Sequence, residues 1–508
     1  MTEMTLRRSA SCPLCWLLAG GLLACSDPEP VAAATTDPAA TAASSDTDRY
    51  PSVIELRRDE FPPDPGRSPV AAGGVLHVAP GGSGPGTSAE PCGAIAEALR
   101  RARPGDTVLV QPGTYLEGLP GESIALQLVV PGVTLLGSTA GRVLVQPARP
   151  GVRHGMVVEA DQVRVIGIDI AGFDGASVLV GSTRGQRDVV LRSLRLEAPA
   201  DGQWHDGIVA TADNRATGVP VLAGLRVQDV WIGGGVSLGL SCNTGPCRSW
   251  RLHDVILQGG SGAGSGADGI AVESVENLLL TAVQVRGFPA DGIDLKAKGV
   301  VIYDTIVGHM GRNGIKLWYE GDIVNTLIHH TGADAGLVLA GPGRLRLLHS
   351  VLAYHNWNGP SSYHMTFGYP DLPVAVEIRN SLIYRCSGGG YVAGGGTLQV
   401  HDSLWADIAN GVALDFAGAV GSRQQVLLGD PAGRWEELGL GRGSLPLGTD
   451  PRLGDAEPFA PLPGSPLLDA ARPAPSAYPA WDALGAPRIL GVGPDIGPRE
   501  QPPAPRAP

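Results

Sequence analysis

Lysine is confined to one short stretch of this chain. Of the 38 basic residues, three are lysines, namely Lys296, Lys298 and Lys316, and the others are arginines. Arginine keeps its proton near neutral pH, whereas burial and neighbouring charges can tune a lysine to act as a base. Lys316 and Lys296 are therefore candidates for a catalytic base. Lys298 precedes Gly299 and is better explained as a solvated turn residue.

Carboxylates gather in the same region. Asp268, Asp291 and Asn313 each precede a glycine, and aligning those glycines places them in one column, with Asp206 nearer the start of the chain. Neighbouring aspartates repel one another unless a cation or a donor lies between them. Ca²⁺ accepts several carboxylate oxygens in a flexible geometry. We therefore predict a calcium site formed by Asp268, Asp291 and Asp294, with Asp206 as a further ligand.

The same alignment sets opposite charges side by side. Asp294 aligns with Lys316, and Glu273 aligns with Lys296 and then with Trp318. One interpretation is a functional patch in which Glu273 and Trp318 contact a substrate. The other is an ordinary ladder of surface ion pairs, each contributing about 0.2–1 kcal/mol. The sequence leaves both open.

The functional interpretation has a specific chemistry. Bound calcium would neutralise the carboxylate of a uronate sugar and acidify the adjacent C5 proton. Lys316 or Lys296 would remove that proton, and the glycosidic bond would break by β-elimination. Arg312 or His309 would stabilise charge or assist the leaving group.

Aromatic and histidine side chains are concentrated between residues 355 and 369. Trp357 and Tyr363 lie there, and we predict that both stack on sugar rings; the alternative is a loop that packs on its own coil. A transition-metal site is a lesser alternative, since no tight ligand spacing supports it. Its four candidate histidines are His309, His329, His330 and His355.

These residues must be positioned by a repeated element. Gly269, Gly292, Gly314 and Gly336 follow one another at intervals of 23, 22 and 22 residues. Between them recurs a segment of alternating apolar residues with a central Asp or Asn, as in Val227–Ile232. This period, without a leucine-rich pattern, predicts an all-β fold, a single parallel β-helix solenoid. The Asp or Asn is expected where the chain turns between sheets.

Solenoids need closed ends. Pro91–Arg103 has apolar residues on one helical face and predicts an N-terminal capping helix. The Pro-rich stretch from about Asp450 predicts an irregular C-terminal cover. The predicted divisions are a signal peptide at 1–24, a flexible tether at 25–70, the β-helix at 71–430, and the C-terminal cap and tail at 431–508.

The N-terminus has the features of an export signal. Arg7 and Arg8 precede an apolar run at 14–23 that is too short to span a bilayer. The run leads into Leu-Leu-Ala-Cys at 22–25, which resembles a bacterial lipobox. The resemblance implies cleavage before Cys25, a lipid on its sulfur, and anchoring to the cell envelope at the outer membrane or cell surface of a bacterium. The alternative is an ordinary signal peptide with a chance cysteine.

Cysteine use and charge agree with export. Cys242 and Cys247 predict a small disulfide-closed loop, the alternative being two reduced buried thiols. The pairing of Cys92 and Cys386 stays open.

The net charge of −12 argues against a nucleic-acid partner, which needs a basic surface. We expect a monomer whose partners are an acidic polysaccharide and, through the lipid alone, a membrane.

Both ends of the chain resemble bacterial right-handed parallel β-helix repeat proteins of the pectate-lyase-like superfamily. The stretches that carry the resemblance are His77–Ser83, Pro104–Val108, Gln111–Tyr115, Leu462–Asp469 and Gly493–Gly497. The resemblance implies a right-handed β-helix fold over roughly residues 75 to 498. It says less about activity, because this fold hosts lyases, hydrolases, epimerases and non-catalytic binders.

The layout of aspartates and lysines resembles polysaccharide lyase family nine, which pairs an aspartate calcium cluster with a lysine base. The Arg-x-Pro-x-x-Arg signature of the main pectate lyases is absent, as are those of polygalacturonases and alginate epimerases. The sequence therefore predicts an envelope lipoprotein that acts on polysaccharide, as a calcium-dependent lyase of uronate glycans. The alternative is a non-catalytic β-helix that binds surface glycan or builds structure.

Overall fold

The computed structural model describes residues 73–501 with internal gaps. The gaps are 182–185, 200, 202, 212–221, 243–245, 261–266, 333, 356–362, 369–371, 394–395, 418–422, 432, 443, 455–458, 473–481, 483–486, 489 and 491–493. The expectations for Cys25, for Trp357 and for the signal and tether segments fall outside the described residues. Neither helix of the described part has the length and apolar character that a membrane crossing requires.

The regular secondary structure of the described chain is almost entirely strand, with two short helices, α1 (Ile95–Arg101) and α2 (Arg434–Glu437). The strands are β1 (Val75–Val78), β2 (Thr107–Val110), β3 (Gly113–Glu117), β4 (Ile124–Leu128), β5 (Thr134–Gly137), β6 (Val143–Pro147), β7 (His154–Val158), β8 (Arg164–Ile166), β9 (Asp169–Ala171), β10 (Ala176–Val180), β11 (Gln186–Arg187), β12 (Val190–Ala198), β13 (Asp206–Ala210), β14 (Leu222–Ala223), β15 (Arg226–Gly234), β16 (Leu238–Cys242), β17 (Cys247–Gln258), β18 (Ile270–Arg286), β19 (Ile293–Tyr303), β20 (Ile306–Met310), β21 (Ile315–Leu317), β22 (Gly321–Val324), β23 (Leu327–Thr331), β24 (Leu337–Leu339), β25 (Gly343–Leu348), β26 (Val351–Ala353), β27 (Met365–Phe367), β28 (Val374–Arg379), β29 (Leu382–Cys386), β30 (Gly390–Val392), β31 (Thr397–His401), β32 (Leu404–Ile408), β33 (Val412–Ala417), β34 (Arg423–Leu427) and β35 (Gly441–Arg442).

Except for the short strands β11 and β14, which pair with each other and with the start of β17, and for β34, which is antiparallel, these strands stack into three parallel sheets. Sheet A contains β1, β2, β5, β8, β12, β15, β17, β18, β19, β22, β25, β28, β31 and β35. Sheet B contains β3, β6, β9, β12, β15, β17, β18, β20, β23, β26, β29 and β32, and sheet C contains β4, β7, β10, β13, β16, β18, β19, β21, β24, β27, β30 and β33. The longest strands bend at corners and so belong to more than one sheet. Each coil passes from A to B to C, and the chain winds as the predicted right-handed parallel β-helix.

The interior is a continuous stack of branched aliphatic side chains. In sheet C, Ile270, Ile293, Ile315 and Leu337 are neighbours in successive coils, and all four are fully buried. Parallel strands lie about 4.8 Å apart, so each of these side chains contacts the one in the next coil. Full burial of one such side chain stabilises the fold by about 1.5–3 kcal/mol. This core fixes the register that positions the outward side chains.

A single residue in the left-handed conformation turns the chain from sheet A to sheet B. Asp229, Asp254, Asp304 and Asn380 occupy this corner with φ values of 51–52°. Asp and Asn tolerate the left-handed region better than most residues because their short side chains bond to the local backbone. The prediction that these positions turn between sheets is confirmed.

The first coil is closed by α1, which lies within the stretch from which the sequence predicts a capping helix. Two residues on the inner face of α1, Ile95 and Ala98, are fully buried. The carboxylate of Glu117 accepts hydrogen bonds from the amides of Ile95 (2.5 Å) and Ala96 (3.3 Å). It thereby satisfies two of the amides that the start of a helix leaves without partners.

The C-terminal segment does more than cover the last coil. The ring of Trp435 on α2 packs 5.0 Å from that of Trp405, and β34 pairs with β33 antiparallel, which ends the parallel stack. The described residues between 450 and 501 are here called the C-terminal cover. They turn back along sheet B, where Phe459, Leu467 and Ile496 pack against β23, β26, β29 and β32. The cover therefore shields one side of the β-helix, which the Pro-rich composition did not predict.

The four cysteines of the described residues divide into a pair and two single thiols. Cys242 and Cys247 are joined by a disulfide. Cys92 and Cys386 are free and buried, and burial raises the pKa of the Cys386 thiol. Cys92 and Cys386 are therefore two separate reduced thiols and are not paired with each other.

Candidate functional site

Asp294 and Lys316 occupy the same outward position of sheet C in adjacent coils. Strands β19 and β21 pair with Asp294 opposite Lys316. The Nζ atom of Lys316 lies 3.0 Å from Oδ2 of Asp294 and 3.7 Å from Oδ2 of Asp291. Ile315 and Leu317 on either side point into the core, so the alternation of the strand holds the charged side chains outside.

Trp318 brings an aromatic ring to these charges. Its indole Nε1 donates a hydrogen bond of 2.8 Å to Oδ1 of Asp294. The ammonium groups of Lys296 and Lys316 lie 5.1 and 5.0 Å from the ring centroid, within the range of cation–π attraction. Lys296 also pairs with Glu273, Nζ to Oε2, at 2.5 Å. We call Glu273, Asp294, Lys296, Lys316 and Trp318 the lysine–tryptophan patch.

A column of Asp and Asn side chains borders the patch at the start of sheet C. Oδ1 of Asp268 accepts a 2.9 Å hydrogen bond from the amide of Asp291. Oδ1 of Asp291 accepts from the amide (3.1 Å) and the side-chain Nδ2 (2.9 Å) of Asn313, whose own Oδ1 accepts from the Ala335 amide at 3.0 Å. Each of these side chains thus accepts a hydrogen bond from the next coil. One oxygen of Asp268 and one of Asp291 are therefore occupied by structural hydrogen bonds.

Asp268 and Lys316 carry clear pKa shifts in this region. Burial raises the pKa of Asp268 to about 6; the hydrogen bond from the Asp291 amide opposes the shift, and the charges of Asp291 and Asp294 add to it. Burial alone would lower the pKa of Lys316, but the carboxylates of Asp294 and Asp291 together outweigh burial and raise it. Lys316 is therefore a firmly protonated cation in the ligand-free protein.

The predicted calcium ligands do not converge in this arrangement. Calcium takes oxygens about 2.3–2.6 Å from one point. Among the described residues, the group of three His, Cys, Asp or Glu side chains with ligand atoms within 4.8 Å of one another is made of histidines and includes none of Asp268, Asp291 or Asp294. The ammonium of Lys316 takes the position of a cation between Asp291 and Asp294. The three carboxylates therefore do not surround a common point in this structure, and the calcium site stays a prediction.

Arg312 and His309 contact other partners. Nε of Arg312 lies 2.8 Å from Oδ2 of Asp334. Burial alone would lower the pKa of Arg312, but Asp334, helped by the more distant charges of Asp291 and Asp268, raises it. Arg312 therefore lies within the field of the acidic column. His309 lies with two neighbouring histidines at the corner between sheets B and C.

Asp206 lies two coils before Asp268. Leu238 stands between them in the register of sheet C, because β13 pairs with β16 and β16 pairs with β18. The carboxylate of Asp206 accepts a 2.8 Å hydrogen bond from Nε1 of Trp204. The structure therefore brings Asp268, Asp291 and Lys316 together and leaves Asp206 apart.

Tyr363 lies on the same sheet face, farther along the solenoid. Its hydroxyl donates a 2.6 Å hydrogen bond to the buried carboxylate of Asp415, and its ring stacks on Tyr391 at 5.6 Å. The register of sheet C runs from Lys316 through Thr366 to Tyr391, which places Tyr391 three coils, about 14 Å, beyond Lys316. Tyr391 and Asp415 were not among the residues predicted from the sequence. Both lie in the register of Lys316, at outward positions of later coils of sheet C.

No family model and no curated protein matches the chain. Among solved structures, the pectate lyase Pel9A is similar at 14% identity and a TM-score of 0.49, with 85% of this chain and 97% of that chain covered. The A-module of the mannuronan C-5 epimerase AlgE4 of Azotobacter vinelandii is similar at 15% identity and a TM-score of 0.41 (64% and 90% covered). PfbA, a surface adhesin of Streptococcus pneumoniae, is similar at 8% identity and a TM-score of 0.39 (65% and 90% covered). The chain is a right-handed β-helix protein. This fold does not determine function, so function has to be argued from the site.

Proposed function

We propose that this protein acts on an acidic, uronate-containing polysaccharide that lies along sheet C and is centred on the lysine–tryptophan patch. The observation that carries the proposal is the convergence of two ammonium groups on one indole ring, on an outward face of the sheet. An aromatic ring offers a surface on which a sugar ring stacks, and the flanking cations attract a sugar carboxylate. Tyr391, three coils beyond, and Tyr363, which stacks on it, extend the same face.

The two lysines have different parts in this proposal. Lys296 is 34% exposed and its partner Glu273 is 51% exposed, so their ion pair is worth little and is readily exchanged for a sugar carboxylate. Lys316 is 19% exposed and is held by Asp294 and Asp291. Its ammonium is therefore fixed in place, and it positions the anionic ring over Trp318.

We further propose, as the finer chemistry, β-elimination with a lysine base. Nζ of Lys316 would take the C5 proton, the electron pair would form the C4–C5 double bond, and the C4–oxygen bond would break, with the departing oxygen taking a proton from solvent water. This step requires a neutral Lys316, whereas Asp294 and Asp291 raise its pKa. The predicted calcium ion would supply competing positive charge at these carboxylates. Because Asp268, Asp291 and Asp294 do not converge, we route no step through the ion.

The test is the release of unsaturated products from a panel of uronate polysaccharides, followed by ultraviolet absorbance. The wild type is compared with Lys316→Ala and with Lys298→Ala as the matched control, each with and without a chelator. A rise in absorbance that is lost in Lys316→Ala and kept in Lys298→Ala supports the lyase. Loss of the rise with chelator supports the calcium prediction, and an unchanged rise contradicts it.

A second function is favoured by the ion pairs themselves. A lysine that two carboxylates keep protonated is suited to bind an anion and unsuited to remove a proton. Binding of a uronate chain without any absorbance change assigns the protein as a non-catalytic glycan binder. Absence of binding to every uronate polysaccharide in the panel overturns both functions.

We also propose that the protein acts at the bacterial cell envelope through a lipid on Cys25. The support is the sequence at 22–25 and the low-complexity stretch that follows it. Metabolic labelling with a radioactive fatty acid tests this, with Cys25→Ser as the control. Labelling that persists in the variant, or that is absent from the wild type, contradicts the anchor.

A further inference from the structure

Three histidines from two adjacent coils meet at the corner between sheets B and C. Strands β20 and β23 pair with Gly308 opposite His329 and Met310 opposite Thr331, which places His309 beside His330. The rings of His309 and His330 stack at 4.8 Å. The ring of His329 stands nearly perpendicular to both, at 5.2 Å from His309 and 5.0 Å from His330.

The backbone explains why neighbouring residues share one cluster. His309 and His330 have φ values of 60° and 47°, in the left-handed region that few residues other than glycine adopt. In a regular strand, His329 and His330 would point to opposite faces. The left-handed turn at His330 breaks that alternation and brings its ring to His329.

Glycine at 308 sets the orientation of the central ring. A Cβ added at Gly308 would collide with Nε2 of His329, so the ring lies against the bare backbone of the coil before it. The other nitrogen of this ring, Nδ1, is then directed to Nδ1 of His330, 2.8 Å away. His329 is fully buried, His330 is half-buried and His309 is exposed, so the cluster opens to solvent on the His309 side.

The ligand atoms of all three rings lie within 4.8 Å of one another. Imidazole nitrogen is a preferred ligand of zinc, copper and nickel, whereas calcium and magnesium take oxygen. We propose that His309, His329 and His330 form a site for a divalent first-row transition-metal ion, with three imidazole ligands and the remaining coordination open to solvent beside His309. Sites with three protein ligands and an open position are typical of zinc that binds a water or a further ligand.

Neighbouring aromatic rings hold the histidines in place. Tyr354, one coil farther along the same corner, stacks on His330 at 4.9 Å, and Phe459 of the C-terminal cover contacts His329 edge to face at 5.7 Å. Such packing preorganises the rings for a ligand. A bound ion would join two coils next to the cover and would therefore also stabilise the fold.

The test is titration of the full chain, produced without a histidine tag and stripped by a chelator, with Zn²⁺ and with Co²⁺. We expect one equivalent to bind, with visible Co²⁺ absorption bands and a rise in melting temperature on adding Zn²⁺. His309→Ala and His330→Ala, neither of them fully buried, are expected to weaken binding at least tenfold. His77→Ala, on β1 and remote from the cluster, is the control and is expected to bind like the wild type.

Two results overturn the site. One is the absence of stoichiometric binding of Zn²⁺, Co²⁺, Ni²⁺ or Cu²⁺ to the folded wild type. The other is binding that survives the His309→Ala/His330→Ala double variant while circular dichroism shows it to be folded. The Co²⁺ spectrum of the wild type is decisive even if a variant fails to fold.

Discussion

Lys316 and Lys298 show how neighbours decide the role of a residue type. Lys316 lies between two carboxylates beside Trp318, whereas Lys298 is exposed with its ammonium 5.5 Å from the ring of Tyr319. The glycine period was sufficient to predict that Asp294 lies beside Lys316. It was not sufficient to predict the contact with Asp291 or the rise in the lysine pKa, because both depend on side-chain burial and rotamers.

We predict that Lys316→Ala weakens binding of a uronate oligosaccharide at least about tenfold, because a charge-assisted contact worth roughly 1.5–3 kcal/mol is lost. Lys298→Ala is expected to change the affinity less than twofold. Isothermal titration calorimetry measures both. Equal losses in the two variants would show that the cationic surface, and not the patch, determines binding.

Asp268→Asn is predicted to stabilise the protein above pH 6. The pKa of Asp268 is raised to about 6, so its ionised form costs the folded state free energy above that pH, and the cost disappears as pH falls towards 4. The amide keeps the oxygen that accepts from the Asp291 amide. At pH 8 the substitution is expected to raise the free energy of unfolding by about 1 kcal/mol. This is less than the full pKa shift implies, because solvent reaches the partly exposed side chain.

Urea unfolding at pH 8 and pH 4 measures this effect, with Asp294→Asn as the control. That control loses the ion pair to Lys316 and is expected to be destabilised at pH 8. A loss of stability at pH 8 in Asp268→Asn contradicts the electrostatic account. Added Ca²⁺ that stabilises the wild type and not Asp268→Asn would support the calcium prediction.

At the scale of the element, the residues that recur in the sequence lie at the corners between the sheets. The recurrent Asp or Asn marks the turn from sheet A to sheet B, and the recurrent glycine marks the entry to sheet C. Both signals are local backbone chemistry, so both are readable without a structure. The corner from sheet B to sheet C is occupied by His309, His330 and Tyr354 in the left-handed conformation, where residue type alone gives no such signal.

Asp254→Ala is predicted to destabilise the protein by about 1 kcal/mol, because the left-handed backbone costs alanine more free energy than it costs aspartate. Asp254 is exposed with a φ of 52°, so packing does not enter the comparison. Asp254→Gly and Asp254→Asn are expected to stay within about 0.5 kcal/mol of the wild type. Equal unfolding free energies for the alanine and glycine variants in urea would contradict this role of the corner.

At the scale of the whole molecule, the C-terminal cover is fastened to the side of the solenoid by a buried charge. Arg488 is 2% exposed and pairs with Glu500 at 3.2 Å. It also donates to the backbone oxygen of Gly497 at 3.0 Å and to the side-chain oxygen of Asn325 in the corner between sheets A and B. The sequence predicted a cover but not this contact, because Asn325 and Arg488 are far apart in the chain.

Arg488→Ala is predicted to release the cover, because breaking a buried ion pair by removing one partner costs about 3–5 kcal/mol. Limited proteolysis is expected to cut the C-terminal cover faster in this variant and to leave the β-helix intact. Arg472→Ala, which removes a largely exposed partner of Asp402, is the control. Equal cleavage rates in the two variants would contradict a fastening role for Arg488.

The central claim is that this protein, despite a net charge of −12, binds an acidic sugar through a local cationic and aromatic face. The measurement that tests it most directly is the affinity of the wild type for polygalacturonate compared with the fully methyl-esterified form of the same chain. The overall charge repels the free acid, so a preference for the acid has to come from a local site. We predict at least tenfold tighter binding of the acid, and equal or tighter binding of the ester would contradict the claim.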